Sequence, residues 1–118
     1  MRLTEIDYDT GTPVDGYGPG FFRIGGRRIA GGMRVLPGAE VAQWAGYDDL
    51  APLIAAAPRI DVLFIGTGAA MAYLPPAFRD ALEGAGIGAE PMASPAACRT
   101  YNVLLSEGRR VGLAVLPV

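Results

Sequence analysis

The chain has 118 residues, 51% of them hydrophobic and 19% charged, which predicts one globular domain over residues 1–118 rather than a disordered chain. Its net charge of −2 and pI near 5.0 argue against nucleic acid as a main partner, because phosphate binding is driven by excess positive charge. The N-terminal residues lack the apolar core of a signal peptide, and no apolar run approaches the ~20 residues that span a bilayer, so we expect a cytoplasmic protein without membrane insertion.

The missing residue types restrict the chemistry. The chain has no histidine, and its ten basic residues are all arginine. This excludes Ser-His-Asp and Cys-His catalysis, histidine metal sites and lysine Schiff bases. The lone Cys98 cannot form an internal disulfide, which agrees with a reducing compartment. We therefore predict no catalytic residue, no cofactor and no metal, and we favour a non-enzymatic protein.

The first third of the chain predicts antiparallel β-structure. Residues 4–8 alternate in the manner of a strand, and residues 10–20 predict a turn-rich connection. Residues 21–24 and 27–30 then flank Gly25-Gly26, a two-glycine loop typical of a tight hairpin.

That hairpin register places Arg23 directly opposite Arg28. Like charges across a ladder are unfavourable unless an anion lies near them. Two arginines that simply remain solvated are the plainer interpretation, because exposed charges on a strand face usually do nothing more.

The next segment predicts two short strands and a helix. Residues 33–36 form one strand and residues 41–44 the other, with Trp44 as a core residue. Asp48 or Asp49 is expected to cap a helix that runs to Ala57, with Pro52 in its first turn.

The strongest strand signal lies at residues 62–65, which are all apolar and predict a central strand buried on both faces. Gly66 and Gly68 then allow a tight turn at the carboxyl end of this strand, where α/β proteins usually bind ligands. A dinucleotide-binding loop is disfavoured, because Met71 stands at the third glycine position and Pro75-Pro76 delay the helix.

The second half alternates strands and helices. A helix follows Pro75-Pro76 as far as Glu83, and residues 87–91 predict a strand. Ser94 is expected as the N-cap of a helix that ends at Glu107 before Gly108. Residues 110–116 predict a last strand, so the order of elements favours an α/β sheet with helices packed on it.

The last helix has two different faces. Its core side is predicted to hold Cys98 and Tyr101, which makes Cys98 a buried, inert thiol rather than a nucleophile. The opposite side carries Arg99, which can hold an anion, and Asn102, which can both donate and accept. A structural tie between Arg99 and a neighbouring loop is the plainer alternative. The candidate ligand- or partner-binding residues are Gly66, Thr67, Gly68, Arg99 and Asn102.

Three stretches together resemble a known family. They are Tyr17-Gly-Pro-Gly-Phe-Phe-Arg-Ile-Gly-Gly26, Phe64-Ile-Gly-Thr-Gly68, and the segment of residues 97–109 that contains Arg-Thr-Tyr-Asn and Glu-Gly-Arg. The family is that of respiratory complex I assembly factor 3, a small domain of unknown function. The resemblance implies a three-layer α/β fold with a mixed sheet and no established enzymatic activity. It also implies an assembly role, because the mitochondrial member assembles complex I with a partner assembly factor.

Two functional hypotheses follow. The favoured one is a non-enzymatic protein that binds another protein, in assembly of a membrane complex. The alternative is a small-molecule or anion-binding protein, or an enzyme, that uses the turn Gly66 to Gly68 with Arg99 and Asn102. An exposed apolar patch would favour the first hypothesis, and a cavity lined by the turn residues would favour the second.

Overall fold

The computed structural model describes residues 11–118. The strand predicted at residues 4–8 lies outside the described residues. The strands are β1 Val14–Gly18, β2 Phe21–Ile24, β3 Arg27–Ala30, β4 Met33–Val35, β5 Ala42–Gln43, β6 Val62–Gly66, β7 Gly88–Met92 and β8 Val111–Val115. The helices are α1 Ala51–Ala55, α2 Pro76–Gly84 and α3 Ser94–Ser106, and a 3₁₀ turn spans Ala57–Arg59.

The strands form two sheets. The first is a three-stranded antiparallel sheet in the order β1-β2-β3, and the second has five strands in the order β5-β4-β8-β6-β7. In the larger sheet β6 runs parallel to both β7 and β8, whereas β4 is antiparallel to β5 and β8. The predicted α/β fold with a mixed sheet and an N-terminal antiparallel hairpin region is confirmed.

The hairpin is confirmed in its register. Arg23 faces Arg28 across β2 and β3, and the loop residues Gly25 and Gly26 have φ angles of +55° and +78°. Both angles lie in the left-handed region that the two-residue hairpin turn requires and that glycine adopts without a steric penalty.

The prediction of a turn-rich connection over residues 10–20 is wrong in its middle, where β1 pairs with β2. Gly16 and Gly18 are strand residues here, whereas Gly20 lies in the turn between β1 and β2. A Cβ on Gly18 would overlap the ring of Phe21, so this position is a glycine because an aromatic ring from the neighbouring strand covers it.

β6 is an interior strand of the larger sheet, as predicted for residues 62–65, and β8 is the middle strand of the five. All five residues of β8 are buried. β6 lies beside it with a partner on each side, and its residues from Leu63 to Gly66 are buried, as expected of a strand that is covered on both faces.

Two apolar cores make the fold three-layered. On one face of the larger sheet, α3 and the small sheet contribute Tyr101 and Phe22 to a core that also includes Phe64. On the other face, α1 and α2 contribute Leu53 and Phe78. The five-stranded sheet therefore forms the middle layer and separates the small sheet from α1 and α2.

The predicted capping of α1 is wrong. The helix starts after Leu50 without a side-chain cap and ends at Ala55. Asp49 instead closes the preceding turn, because its Oδ2 accepts the Ala45 N–H at 3.1 Å and its carbonyl accepts Trp44 Nε1–H at 2.9 Å.

We predict that Phe64→Ala lowers the free energy of unfolding by about 3–5 kcal/mol, because it opens a cavity between the sheet and α3. Phe64 is only 4% exposed. Urea melts of the variant check this value. Tyr73→Ala is the matched control, since Tyr73 is 89% exposed and its loss should change stability by less than ~0.5 kcal/mol. Equal losses from the two variants would contradict the assignment.

Candidate functional site

The turn after β6 is held by hydrogen bonds within the protein. Thr67 N–H donates to the Met92 carbonyl at 2.9 Å, and Gly68 N–H donates to Ser94 Oγ at 3.0 Å. The Gly68 carbonyl accepts Ser94 N–H at 2.8 Å. A ligand that used these backbone groups would therefore have to displace bonds to β7 and α3.

Ser94 is the residue that closes this end of the sheet. Its side chain is fully buried, and its hydroxyl donates to the Leu116 carbonyl at 2.7 Å while accepting Gly68 N–H. Leu116 N–H in turn donates to the Gly66 carbonyl at 2.8 Å. The crevice between the ends of β6 and β8, which α/β folds often use for ligands, is thus filled by the protein itself.

Ser94 does not cap α3 as predicted. It is the first residue of the helix, Ala93 occupies the cap position, and no side chain caps the helix start. The serine hydroxyl instead bonds to Gly68 and Leu116, at the ends of β6 and β8. It does not bond to the free N–H groups of the first turn.

Gly66 is required by close packing against Ser94. A Cβ at this position would lie 2.5 Å from both Ser94 Oγ and Val115 Cγ1, and 2.8 Å from Ser94 Cα. Gly68 has a φ of +104°, a conformation that side chains rarely adopt. The two glycines therefore have a structural explanation that involves no ligand.

Thr67 orders the segment that follows, residues 69–75, which we call the apolar loop. Its hydroxyl donates to the Ala70 carbonyl at 2.7 Å and accepts Ala72 N–H at 3.0 Å. The loop is built from alanine, methionine, tyrosine, leucine and proline. Met71 is 51% exposed and Tyr73 is 89% exposed, whereas Leu74 is buried and anchors the loop.

An open groove of about 540 Å³ adjoins the apolar loop, and we call it the aromatic groove. Tyr47 and Phe78 pack against each other in it, with ring centroids 4.9 Å apart. Burial raises the pKa of Tyr47, so its hydroxyl is neutral at physiological pH. The groove is lined by Ala45, Tyr47, Asp48, Leu50, Pro75, Ala77 and Phe78; Pro75 belongs to both surfaces.

Asn102 holds β1 to α3. Its Oδ1 accepts Val14 N–H at 2.8 Å, and its Nδ2 donates to the Val14 carbonyl at 2.8 Å. Both hydrogen-bonding groups of the side chain are thereby used on one backbone position of β1.

The structure does not bring all the predicted site residues together. Gly66 and Gly68 lie at the start of α3, where Ser94 contacts them, and Thr67 between them bonds to Met92 at the end of β7. Arg99 and Asn102 lie five and eight residues further along the helix, about 8 and 12 Å away at 1.5 Å per residue. Arg99 is exposed and forms no ion pair within residues 11–118. A binding role for these five residues stays a prediction.

The buried thiol of Cys98 is unsuited to nucleophilic chemistry. Burial raises its pKa to about 11, against a smaller lowering effect of Arg99. The thiol is therefore protonated at neutral pH, where the thiolate would be the reactive form. Within residues 11–118, no cluster of histidine, cysteine and carboxylate residues has the arrangement of a metal site.

Sequence reasoning missed the exposed Met71 and Tyr73. The available signal was a seven-residue stretch without a charge directly after the turn, which is unusual for a surface loop. The role of Ser94 gave no such signal, because its partners Gly68 and Leu116 are 26 and 22 residues away in the sequence.

Comparison with known proteins identifies relatives. The family described as "Protein of unknown function (DUF498/DUF598)" matches residues 14–116. An uncharacterised protein of Rhodobacter capsulatus is 54% identical, over 100% of this chain and 94% of that protein. NADH dehydrogenase (ubiquinone) 1 alpha subcomplex assembly factor 3 of Danio rerio is 34% identical, over 99% of this chain and 71% of that longer protein.

A solved structure has the same fold. A crystal structure described as an outer membrane protein from Bartonella henselae matches with a TM-score of 0.84 and 31% identity, over 94% of this chain and 98% of that chain. In the part of the chain that our structure describes, no helix has the length and apolar character needed to cross a membrane. The sequence relatives confirm the family resemblance, and this structure confirms the fold.

We predict that Asn102→Ala lowers the free energy of unfolding by about 2–3 kcal/mol, because it leaves the Val14 N–H and carbonyl without their partners. Ser106→Ala on the same helix is the control. Ser106 is exposed, and within residues 11–118 its hydroxyl bonds only to the Val103 carbonyl, so its loss should change stability by less than ~0.5 kcal/mol. Chemical denaturation measures both. A loss below ~1 kcal/mol for Asn102→Ala would show that this clamp does not hold β1.

We also predict that Gly66→Ala destabilises the protein by at least ~2 kcal/mol, because the added methyl overlaps Ser94 and Val115. Gly84→Ala provides the matched control, since no atom of the described residues lies within 4 Å of a Cβ there and the change should be neutral or slightly stabilising. Thermal melts of both variants test this. Similar melting temperatures for the two variants would argue against the close packing at Gly66.

Proposed function

This chain belongs to the DUF498/DUF598 family, and from that membership we propose that it is a single-domain, non-enzymatic protein that binds another protein during assembly of a membrane complex. The relatives named as complex I assembly factor 3 support this role. We place the protein in the cytoplasm, which fits its lone, reduced cysteine.

The observation that carries the proposal is the exposure of Met71 and Tyr73 on an ordered loop. Fully burying a side chain such as methionine is worth about 1.5–3 kcal/mol. Because the Thr67 hydroxyl already fixes the start of the loop, a partner would pay little additional conformational entropy. The adjoining aromatic groove extends the same contact and can accept a side chain of the partner.

The β7 edge of the larger sheet is a less suitable contact. Gly88 N–H bonds to the Asp61 carbonyl, so the backbone polar groups of alternate β7 residues point toward β6. The backbone groups of Ala89 and Pro91 point toward the open edge. Pro91 has no N–H to offer. Strand addition to β7 would therefore gain few main-chain bonds, which favours docking through side chains.

The alternative is a small-molecule or anion site at the turn Gly66 to Gly68 with Arg99 and Asn102. It would require Asn102 to release Val14 and the turn to release Ser94. Arg99 is exposed and forms no ion pair within residues 11–118, so its contact with a ligand would not break such a pair in that part of the chain.

We predict that replacing Met71→Ser together with Tyr73→Ser lowers recovery of complex subunits about tenfold, which corresponds to about 1.4 kcal/mol of lost binding. Tagged protein is expressed in the native host, purified with its bound proteins and quantified by mass spectrometry. The melting temperature should stay unchanged, because both side chains are exposed.

Two control variants separate the hypotheses. Val103→Ser removes another exposed apolar side chain, 54% exposed on α3, and should leave recovery unchanged. Arg99→Ala should also leave it unchanged. Loss of capture with Arg99→Ala but not with the loop variant would favour the alternative site, and equal recovery by all variants would refute the role of the apolar loop.

A further inference from the structure

The outer face of the small sheet presents two arginines side by side. Arg23 on β2 and Arg28 on β3 are direct cross-strand partners, and both are exposed. Two like charges in this position repel each other and destabilise a sheet. An anion that lay between the two side chains would relieve this repulsion.

The guanidinium groups of Arg23 and Arg28 both lie over the Phe21 ring. Arg28 Cζ lies 4.4 Å from the centre of the Phe21 ring, and Arg23 Cζ lies 5.3 Å from it. Attraction to the ring face holds both cations in place. The charged groups are thus partly oriented before any partner arrives, although they lie on the protein surface.

Glycines on the neighbouring strand keep this face open. Gly16 faces Arg23 and Gly18 faces Phe21 across β1 and β2, so these two β1 positions add no side chain. The exposed Asp15 lies next to Gly16, at the register shift between Val14 and Gly16. The Phe21 ring covers Gly18, where a Cβ would overlap it. We call this surface, formed by Gly16, Gly18, Phe21, Arg23 and Arg28, the arginine shelf.

The shelf has no counter-ion of its own among the described residues. Within residues 11–118, the ion pairs join Arg79 with Glu83 and Arg110 with Asp61. Neither pair includes an arginine of the shelf. Guanidinium groups bind carboxylates in a planar, two-point geometry, so the shelf can accept carboxylates without breaking an ion pair among residues 11–118.

We propose that the arginine shelf binds an acidic segment of a protein partner through the carboxylates of that segment. A membrane surface is a poorer fit, because recognition of anionic lipids takes clusters of four to eight basic residues and the shelf has two. Nucleic acid is disfavoured by the net charge of −2, which opposes a phosphate backbone. A carboxylate pair on a peptide matches two neighbouring guanidinium groups.

This surface is separate from the aromatic groove. The small sheet and the groove lie on opposite sides of the five-stranded sheet. The inference therefore does not depend on the proposed role of the apolar loop, and each can fail while the other stands.

The test measures binding of a fluorescein-labelled poly-glutamate peptide to the full chain by fluorescence anisotropy at low salt. Arg23→Gln with Arg28→Gln should weaken binding at least about tenfold. Arg79→Gln with Arg109→Gln changes the net charge equally, and it should alter the affinity less than about twofold if the effect is local. Phe21→Leu keeps both charges and should weaken binding about threefold through loss of the ring face.

Further measurements make the result decisive. The double variant at the shelf should melt at the same or a higher temperature than the wild type, since it removes a repulsive pair. If it unfolds, Arg23→Lys with Arg28→Lys replaces it; this variant keeps the charge, loses the planar groups and should still bind more weakly. If the glutamine variant at Arg79 and Arg109 weakens binding as much as the glutamine variant at the shelf, the proposal is overturned. Tighter binding to phosphatidylserine vesicles or to a single-stranded oligonucleotide than to poly-glutamate would also overturn it.

Discussion

The buried hydroxyl of Ser94 joins three parts of the fold at one point. It accepts from Gly68 after β6 and donates to Leu116 after β8, while its own backbone starts α3. An unpaired hydroxyl in this position would cost free energy, because no water reaches it. The absence of a side chain at Gly66 is the complementary condition, since any Cβ there would push Ser94 away from both strand ends.

This closure determines what the end of the sheet can do. In many α/β proteins the same crevice receives a ligand, but here the serine and the chain after β8 fill it. The segment leaving the turn cannot enter the crevice and is directed over the surface, where Thr67 orders it. The residues that bind ligands in other folds thus support an exposed apolar loop in this one.

Local patterns predicted more of the fold than of the site. The Gly25-Gly26 loop specifies its hairpin because two adjacent residues set the turn type and the register. β1 was missed because its glycines suggested turns, and the reason for a glycine at position 18 is a ring on another strand. Asn102 was expected to be free because it lies opposite the core face of α3. Its partner Val14 is 88 residues away in the sequence, and no helical periodicity can reveal a contact of that separation.

The apolar loop and the arginine shelf would contribute to binding in different ways. Apolar contacts contribute affinity in proportion to the area they remove from water but carry little orientation, whereas charges guide the encounter and select the orientation. The chain has a net charge of −2, and salt screens exposed charges over short distances. A partner therefore experiences the positive potential of the arginine pair only when it is already close. The shelf would therefore act after the first encounter to orient an acidic segment. The apolar loop, which lies outside that small sheet, would then be the contact whose burial slows dissociation.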